Sequence, residues 1–268
     1  MQYKAIALDV DGTLIAPGAP SVTEPVARAV RGAQQRGVKV IVATGRTHYA
    51  LGGGILGGIR PDYFVCVNGA QVLDAAGLEL FSERLSEQEM YALVDFCEDH
   101  DYPLAFSFSD AYYVYVEYER MRALYKAITG HTGYVRDGED QDRHLQGMPY
   151  ASFCAMPPRA VERFQQRYGH LGLAFVPYAE GRYDVGRPGL TKATGLAQIL
   201  ARAGIAPQEL VAVGDAANDV PMLRMAGLPV CMDGGAPAAR QAAARIAPSV
   251  QRDGVAALVR ELFLGGVL

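Results

Sequence analysis

The sequence predicts an α/β protein in which a mixed α/β segment interrupts a parallel-sheet core. Apolar strands alternate with helical patterns over residues 4–68, and the same alternation returns after Gly189. The segment between them is rich in neighbouring strands and carries most of the tyrosines. Because strand–helix–strand units build parallel sheets, we expect the two end segments to form one sheet around an insertion.

The first segment contains three predicted strands and one predicted helix, at residues 5–8, 38–43, 63–67 and 23–36. The helix presents Val26, Val30 and Ala33 on one face and ends at Gly37, which tolerates a positive φ. The glycine-rich run Gly52–Gly58 disfavours regular helix, so the pattern predicts only a weak, irregular helix over 47–60.

The insertion follows a predicted hairpin at 71–83. Ser86 and Glu89 form the capping box of a helix. The pattern then predicts two strands within 104–116, a helix at 121–128, a polar stretch at 130–146, a strand at 150–156, a helix at 158–168, and strands at 173–177 and 182–185. The core rhythm resumes with a helix at 191–203, a strand at 210–213, a helix at 220–226 and a strand at 228–232.

The composition excludes several classes of protein. The chain has 268 residues, 50% hydrophobic and 20% charged, which is typical of one large globular domain or two modest ones. A formal charge of −4 argues against a nucleic-acid partner. We expect no export signal, and no apolar run reaches the ~20 residues of a membrane helix. We expect a cytoplasmic protein with no membrane contact and no obligate protein partner.

The four cysteines are too widely spaced for a zinc or redox motif. We expect them to be buried thiols in a reducing compartment. They are Cys66, Cys97, Cys154 and Cys231.

Two acids follow the first predicted strand. Asp9 and Asp11 lie two positions apart, and such residues of an extended chain point to the same side, so both carboxylates are expected to face one site. Two buried acids repel each other, which requires a metal ion, a neighbouring lysine or one protonated acid. For this pair alone, an Asp-rich turn with Gly12 at its bend is the structural alternative.

Two further strands also end in polar residues. Thr44, Gly45 and Arg46 follow the second strand and can offer a hydroxyl and backbone N–H groups to an anion. Taken alone, Thr44 is more typical of a helix N-cap. Asp215 follows the strand at 210–213 with Asn218 and Asp219 close behind, and hard oxygen ligands of this kind suit Mg²⁺.

Lys192 opens the helix predicted at 191–203, where a lone lysine is ordinarily solvated. The context changes this expectation, because open α/β sheets gather ligands at the carboxyl ends of their strands. Together these groups predict phosphoryl transfer through an aspartyl phosphate. Asp9 would attack phosphorus, Lys192 and Mg²⁺ would neutralise the developing charge, and Asp11 would protonate the leaving oxygen and then activate water.

The combined motifs resemble those of the haloacid dehalogenase superfamily, specifically its Cof-type Mg²⁺-dependent phosphatases. The resemblance extends over residues 9–219. It implies a Rossmann-like core of residues 1–83 and 187–268 with a mobile, C2-type mixed α/β cap of residues 84–186 that closes over the substrate. The motifs are Asp9-Val10-Asp11-Gly12-Thr13, Thr44-Gly45-Arg46, Asn68-Gly69-Ala70, Lys192 and Gly214-Asp215-x-x-Asn218-Asp219.

The resemblance also implies residue roles. Asp9 is the nucleophile, Asp11 the general acid and base, and Lys192 and Thr44 assist catalysis. Mg²⁺ is held by Asp9, the backbone carbonyl of Asp11, and Asp215. The phosphate contacts implied are the backbone N–H of Val10 together with Thr44, Gly45, Lys192 and Asn218.

The implied substrates are small phosphorylated metabolites. Sugar phosphates are expected first, with nucleotides, pyridoxal phosphate or FMN as alternatives. The cap is expected to decide between them through polar groups, although surface solvation is the expected role of any single one. The candidates are His131, Arg136, Arg143 and Arg182. Family members often carry Met-Gly-Asn-Ala where this chain has residues 232–236, so no substrate contact is assigned there.

Other functions fit the sequence less well. Gly52-x-Gly54-x-x-Gly57 matches a dinucleotide-binding fingerprint, but it lies far beyond the strand end at Ala43 instead of in the strand-to-helix turn. A non-catalytic phospho-acceptor module uses a similar set of acids, yet Asp11 and the large insertion favour turnover. A haloacid dehalogenase activity is disfavoured, because carbon–halogen displacement needs no Mg²⁺ site. A phosphohexomutase of the same superfamily remains an alternative.

Overall fold

The computed structural model describes residues 2–129 and 132–266. The chain divides into two compact units, one formed by Met1–Phe81 with Thr191–Leu268 and the other by Ser82–Leu190. Each unit has its own sheet and its own hydrophobic core.

The elements follow one another in three stretches of chain. The first contains β1 (Ala5–Leu8), α1 (Glu24–Gln35), β2 (Lys39–Ala43), β3 (Tyr63–Cys66), β4 (Gln71–Asp74) and β5 (Glu79–Ser82). The second contains α2 (Glu87–Glu98), β6 (Leu104–Ser107), β7 (Tyr112–Val116), α3 (Tyr118–Thr129), β8 (Val135–Asp137), β9 (Ala151–Ala155), α4 (Pro158–Tyr168), β10 (Ala174–Ala179) and β11 (Arg182–Gly186). The third contains α5 (Lys192–Ala203), β12 (Leu210–Gly214), α6 (Val220–Met225), β13 (Leu228–Met232), α7 (Pro237–Ala242), β14 (Arg245–Ala247) and α8 (Gly254–Phe263).

The sheet of the first unit has the strand order β14-β13-β12-β1-β2-β3-β4-β5, and the strands from β14 to β3 are parallel. Its central strand β1 is buried along its whole length, as expected for a strand covered on both faces. In register, Leu8 lies opposite Val213 of β12 and Val42 of β2. The residues that follow these three strands therefore leave the sheet at the same edge. The predicted α/β fold with a parallel-sheet core is confirmed.

The sheet of the second unit has the order β10-β11-β9-β6-β7-β8 and is antiparallel except between β7 and β8. Its two faces carry separate clusters. Leu93 of α2 and Phe164 of α4 pack with Phe106 on one face, whereas Met121 of α3 packs with Val114 on the other. The predicted capping box of Ser86 and Glu89 is present at the start of α2.

The structure differs from some local predictions in detail. Within residues 47–60 the only helical element is a single 3-10 turn at His48–Leu51, because Gly53, Gly54 and the pair Gly57–Gly58 adopt positive φ angles that an α-helix cannot accommodate. The polar stretch 130–146 contains β8, which forms because Val135 pairs in register with Tyr112 of β7. The elements α7, β14 and α8 went unpredicted, and α8 packs against α1.

Two other expectations can be compared with the structure. All four cysteines are free and buried, as predicted. Over the part of the chain that is described, no helix is both long enough and apolar enough to cross a membrane.

Candidate active site

Asp9 lies at the carboxyl end of β1, at the centre of the parallel sheet. Its backbone N–H donates to the carbonyl of Val213, which extends the pairing of β1 with β12 by one residue. Its side chain is buried, with only 5% of the residue exposed. The sheet therefore holds this carboxylate in one place at the edge where the parallel strands end.

Lys192 is the first residue of α5, and its side chain is almost fully buried. Its Nζ atom donates to Asp9 Oδ1 at 2.5 Å and to Asp219 Oδ1 at 2.6 Å. The helix begins with a capping box in which the side chain of Thr191 accepts from the backbone N–H of Thr194. The capped start sets the position from which the ammonium group reaches both acids. The ordinary expectation of a solvated lysine does not hold here.

Asp219 is fully buried and makes contacts with both of its oxygens. Oδ1 accepts from Lys192, and Oδ2 accepts from the backbone N–H groups of Asp215 and Ala216 at 2.9 Å each. This carboxylate therefore closes the turn after β12 and anchors the lysine. The sequence grouped Asp219 with oxygen ligands that suit Mg²⁺, but its contact with Lys192 was not predicted. The signal that could have found it is the need of a buried lysine for a second carboxylate.

Asp215 directly follows β12 and is partly buried. Thr13 donates through Oγ1 to Asp215 Oδ1 at 3.1 Å. Gly12 has a φ of 85°, and a Cβ atom placed on it would fall on the carboxylate of Asp215. Only glycine therefore allows the loop after β1 to approach this acid so closely.

The three acids Asp9, Asp215 and Asp219 can each present an oxygen within 4.8 Å of the others. Burial is the largest effect on Asp9 and raises its pKa, Lys192 offsets part of this increase, and Asp219 adds to it. Burial, followed by the charge of Asp219, also raises the pKa of Asp215. Burial would lower the pKa of Lys192, but the charges of Asp9 and Asp219 outweigh it and raise the pKa.

The donor set fits a hard divalent cation. Three carboxylates face one ammonium group, so negative charge is left in a largely buried cluster, and a divalent cation would balance it. Asp219 already accepts three hydrogen bonds, whereas Oδ2 of Asp9 and Oδ2 of Asp215 accept none from the described residues, so these two carboxylates are better suited to such an ion. A divalent cation held there would supply a Lewis acid that polarises phosphoryl oxygens.

Asp11 is not one of the three acids of this cluster. Its side chain is 59% exposed, and both of its oxygens accept from Arg46, from Nε at 2.8 Å and from the terminal nitrogen Nη2 at 2.6 Å. The expectation that the Asp9 and Asp11 carboxylates face one site stays a prediction, because the structure pairs Asp11 with Arg46 and leaves it out of the three-acid cluster. The rule that side chains two positions apart in an extended strand point to the same side does not apply here, because the chain turns after β1. In this turn the backbone N–H groups of Leu14 and Ile15 both donate to the carbonyl of Val10.

Thr44 and the asparagines lie at the ends of neighbouring elements. Thr44 Oγ1 accepts from the backbone N–H of Arg46 at 3.1 Å in a turn that no α-helix follows, so Thr44 is not a helix N-cap. Asn218 donates to Asn68 Oδ1 at 3.0 Å. A Cβ atom on Gly45 would lie 3.3 Å from the side-chain nitrogen and oxygen of Asn68. The loops after β2, β3 and β12 therefore meet at this point.

The loop after β3 is conformationally strained. Val67 and Asn68 both have φ near +50°, which is uncommon for residues other than glycine and rare for a β-branched one. Gly69 follows with a φ of 102°, and a Cβ atom on it would fall on the carbonyl group of Thr191. This loop therefore packs directly against the residue that caps the helix of Lys192.

The polar candidates of the second unit occupy different settings. Arg143 pairs with Asp110 at 2.7 Å and lies over the ring of Phe108, so it has a packing role instead of the solvated one expected for it alone. Arg136 is exposed and donates to backbone carbonyls. Arg182 lines a cavity of about 580 Å³ beside α3. His131 lies outside the described residues.

The fold and this arrangement of acids define a phosphatase of the haloacid dehalogenase class. The chain belongs to the haloacid dehalogenase-like hydrolases, and the family model matches residues 6–259.

Two curated relatives match most of this chain. The chain is 25% identical over 257 residues to 5-amino-6-(5-phospho-D-ribitylamino)uracil phosphatase YbjI of Escherichia coli strain K12, covering 95% of this chain and 94% of that protein. It is 24% identical over 269 residues to endoribonuclease YBEY, chloroplastic, of Arabidopsis thaliana, covering 95% of this chain. The match spans only 46% of that longer relative.

Among solved structures, BT1666 from Bacteroides thetaiotaomicron, a phosphatase of the same superfamily, has a TM-score of 0.83 to this chain. The two are 24% identical, with 99% of this chain and 96% of that chain covered. This similarity shows a shared fold.

Proposed function

We propose that this chain is a Mg²⁺-dependent phosphatase of small phosphorylated metabolites, with sugar phosphates as the first candidates, and that it acts through an aspartyl phosphate on Asp9. The observation that carries the proposal is the placement of Lys192 Nζ, within hydrogen-bond distance of both Asp9 and Asp219 while Asp215 lies beside them. A buried nucleophile, a buried cation and an acid pair suited to Mg²⁺ therefore occur together.

Asp9 is suited to be the nucleophile. Its Oδ1 is held by Lys192, which fixes the orientation of the carboxylate and leaves Oδ2 as the candidate attacking oxygen. Attack forms a bond from this oxygen to phosphorus and breaks the bond from phosphorus to the leaving oxygen. Lys192 stabilises the negative charge that develops on the phosphoryl group.

Asp11 is proposed as the general acid and base. It would give a proton to the leaving oxygen in the first step and accept one from water in the second. Its exposed position suits exchange of protons with substrate and solvent. Its side chain is not a proposed metal ligand, because only its backbone carbonyl is assigned to Mg²⁺ together with Asp9 and Asp215.

The phosphate contacts are proposed for the loops that meet at the edge of the first sheet. They are the backbone N–H of Val10, the Thr44 hydroxyl, Gly45, Lys192 and the amide of Asn218. The contact of Asn218 with Asn68 supports this assignment, because it fixes the amide plane and leaves one N–H of Asn218 for a phosphoryl oxygen.

Substrate choice is proposed to lie with residues 84–186 as a cap domain. The substrate class is supported by the name of the Escherichia coli relative, whose substrate carries a phosphorylated ribityl chain. A phosphate ester on a polyol chain is chemically close to a sugar phosphate, which is why sugar phosphates come before nucleotides, pyridoxal phosphate and FMN.

The test is phosphate release from a panel of sugar phosphates, nucleotides, pyridoxal phosphate and FMN, with Mg²⁺ or EDTA. Wild type, Asp9→Asn and Glu24→Gln are compared. Glu24→Gln makes the same carboxylate-to-amide change at an exposed site on α1 and is expected to behave as wild type. We expect Mg²⁺-dependent release that Asp9→Asn reduces to a few per cent or less, with its fold retained.

Residual turnover well above that level in Asp9→Asn would contradict the covalent mechanism. Conversion of a sugar phosphate to its positional isomer without phosphate release would indicate a mutase. A long-lived phosphorylated protein with no release would indicate a phospho-acceptor module.

A further inference from the structure

Arg46 and Asp11 form a bidentate ion pair at the edge of the first sheet. Nε of Arg46 donates to one oxygen of Asp11 at 2.8 Å, and the terminal nitrogen Nη2 donates to the other at 2.6 Å. The side chain of Arg46 is 28% exposed and that of Asp11 is 59% exposed. The two residues follow β1 and β2, which are adjacent in the sheet, so their loops leave it side by side.

The backbone of Arg46 is held on both sides. Its N–H donates to Thr44 Oγ1 at 3.1 Å, and its carbonyl accepts from the N–H of Val67 at 3.0 Å. The guanidinium group therefore extends from an anchored position. Arginine is suited to this contact because its planar guanidinium donates two parallel hydrogen bonds to a carboxylate and so fixes the carboxylate plane. Lysine, in contrast, acts as a point charge.

An exposed aspartate without such a partner rotates freely. Asp11 must present one oxygen to a water molecule during hydrolysis of the phosphoenzyme, and freedom at this side chain would cost rate because proton transfer depends on alignment. Each oxygen of Asp11 keeps a lone pair after accepting from Arg46. The pair therefore fixes the direction of the carboxylate without blocking its use as a base.

We infer that Arg46 is a positioning residue for Asp11 in the second half-reaction, in which water hydrolyses the phosphoenzyme. This inference rests on the proposed function. In the step, the water oxygen forms a bond to phosphorus and a water proton passes to Asp11. The bond from phosphorus to Asp9 breaks, its electron pair returns to the Asp9 carboxylate, and inorganic phosphate leaves.

The inference predicts that the two half-reactions respond differently to loss of Arg46. With p-nitrophenyl phosphate, the leaving group is a stable anion that needs little proton donation, so formation of the phosphoenzyme depends only weakly on Asp11. Hydrolysis of the phosphoenzyme depends on Asp11 for every substrate. Removal of Arg46 should therefore slow the second step far more than the first.

The test is rapid-mixing kinetics with p-nitrophenyl phosphate and Mg²⁺, comparing wild type with Arg46→Ala, Arg46→Lys and Arg28→Ala. Arg28 is an arginine on α1 that is 63% exposed, and its variant is the matched control. For Arg46→Ala we expect a burst of about one p-nitrophenolate per active site, then a steady state roughly 10- to 100-fold slower than wild type. Acid quenching should recover phosphorylated protein.

The steady-state rate of Arg46→Lys should fall between those of wild type and Arg46→Ala, because lysine keeps the positive charge but cannot form the bidentate contact. Arg28→Ala should match wild type. No burst in Arg46→Ala, or a rise in KM with kcat unchanged, would overturn the inference and assign Arg46 to substrate binding or to general structure. Absence of any turnover in wild type would instead overturn the proposed function, and this inference with it.

Discussion

The ammonium group of Lys192 lies 2.6 Å from Asp219, and both side chains are almost completely removed from solvent. The same carboxylate accepts two backbone N–H groups of the turn that carries Asp215. Asp219 therefore links the position of the lysine to the position of a proposed metal ligand. A change at Asp219 should affect both stability and catalysis.

Asp219→Asn should lower the free energy of unfolding by about 3 kcal/mol or more, because the amide has no charge to pair with the buried Lys192 and its nitrogen cannot accept the hydrogen bonds that the second carboxylate oxygen accepts. It should also lower kcat at least tenfold, because Lys192 loses one of its two anchors. Denaturant unfolding and steady-state kinetics check both effects. Asp233→Asn is the matched control, since Asp233 pairs with Arg252 at the surface and should contribute about 0 to 1 kcal/mol. Equal losses in the two variants would refute the structural role of Asp219.

Gly69→Ala should destabilise the protein more than Gly18→Ala. Both glycines have positive φ angles, of 102° and 79°, so both substitutions strain the backbone by about 1 kcal/mol. Only at Gly69 would the added Cβ fall on a neighbour, the Thr191 carbonyl, whereas Gly18 has nothing within 4 Å. We expect a further loss of about 1 to 3 kcal/mol at Gly69. Indistinguishable unfolding curves for the two variants would mean that the loop and α5 separate without cost.

Mg²⁺ should bind to and stabilise the wild-type protein in the absence of substrate, because a ligand that binds only the folded state adds to its stability by mass action. Asp215→Asn should abolish this effect. Asp11→Asn should retain it, since the Asp11 carboxylate is held by Arg46 and only the backbone carbonyl is a proposed ligand. Calorimetric titration and thermal unfolding with Mg²⁺ or EDTA measure binding independently of activity. Loss of Mg²⁺ binding in Asp11→Asn would contradict this ligand set.

Asp184 should destabilise the second unit at neutral pH. It lies on β11 opposite Phe153 and Val176, and none of the described residues donates a hydrogen bond to its carboxyl group. Burial raises the pKa of Asp184 from 3.8 to about 6. Because its pKa is higher in the folded state than in the unfolded state, Asp184 contributes most favourably to the free energy of unfolding below pH 4. This contribution is lost as pH rises through 6.

Asp184→Asn should therefore stabilise the protein by about 1 to 2 kcal/mol at pH 7, with the difference disappearing near pH 4. Unfolding measured across pH 4 to 7 checks the sign and the range. Asp140→Asn, at an exposed acid of the same unit, should change stability by about 0.5 kcal/mol or less throughout. A destabilised Asp184→Asn at pH 7 would show that the carboxylate has a favourable partner.

The sequence predicted those parts of the site that depend on local pattern. Short apolar runs with helical segments between them indicated the parallel strands, and the side chains that follow such strands must leave the sheet at one edge. Asp9 and Asp215 were placed there by this reasoning, and the helix predicted at 191–203 included Lys192 at its start. The motifs also sufficed to indicate the family.

The tertiary structure decided what those side chains contact. Lys192 is buried because α5 packs against the loop after β3, where Gly69 meets Thr191, and this contact has no local signature. The pairing of Arg46 with Asp11 joins residues 35 positions apart, and that of Lys192 with Asp9 joins residues 183 apart. Local propensity determines where strands and helices form, whereas the partner of a charged group depends on which distant loops the fold brings within hydrogen-bond distance.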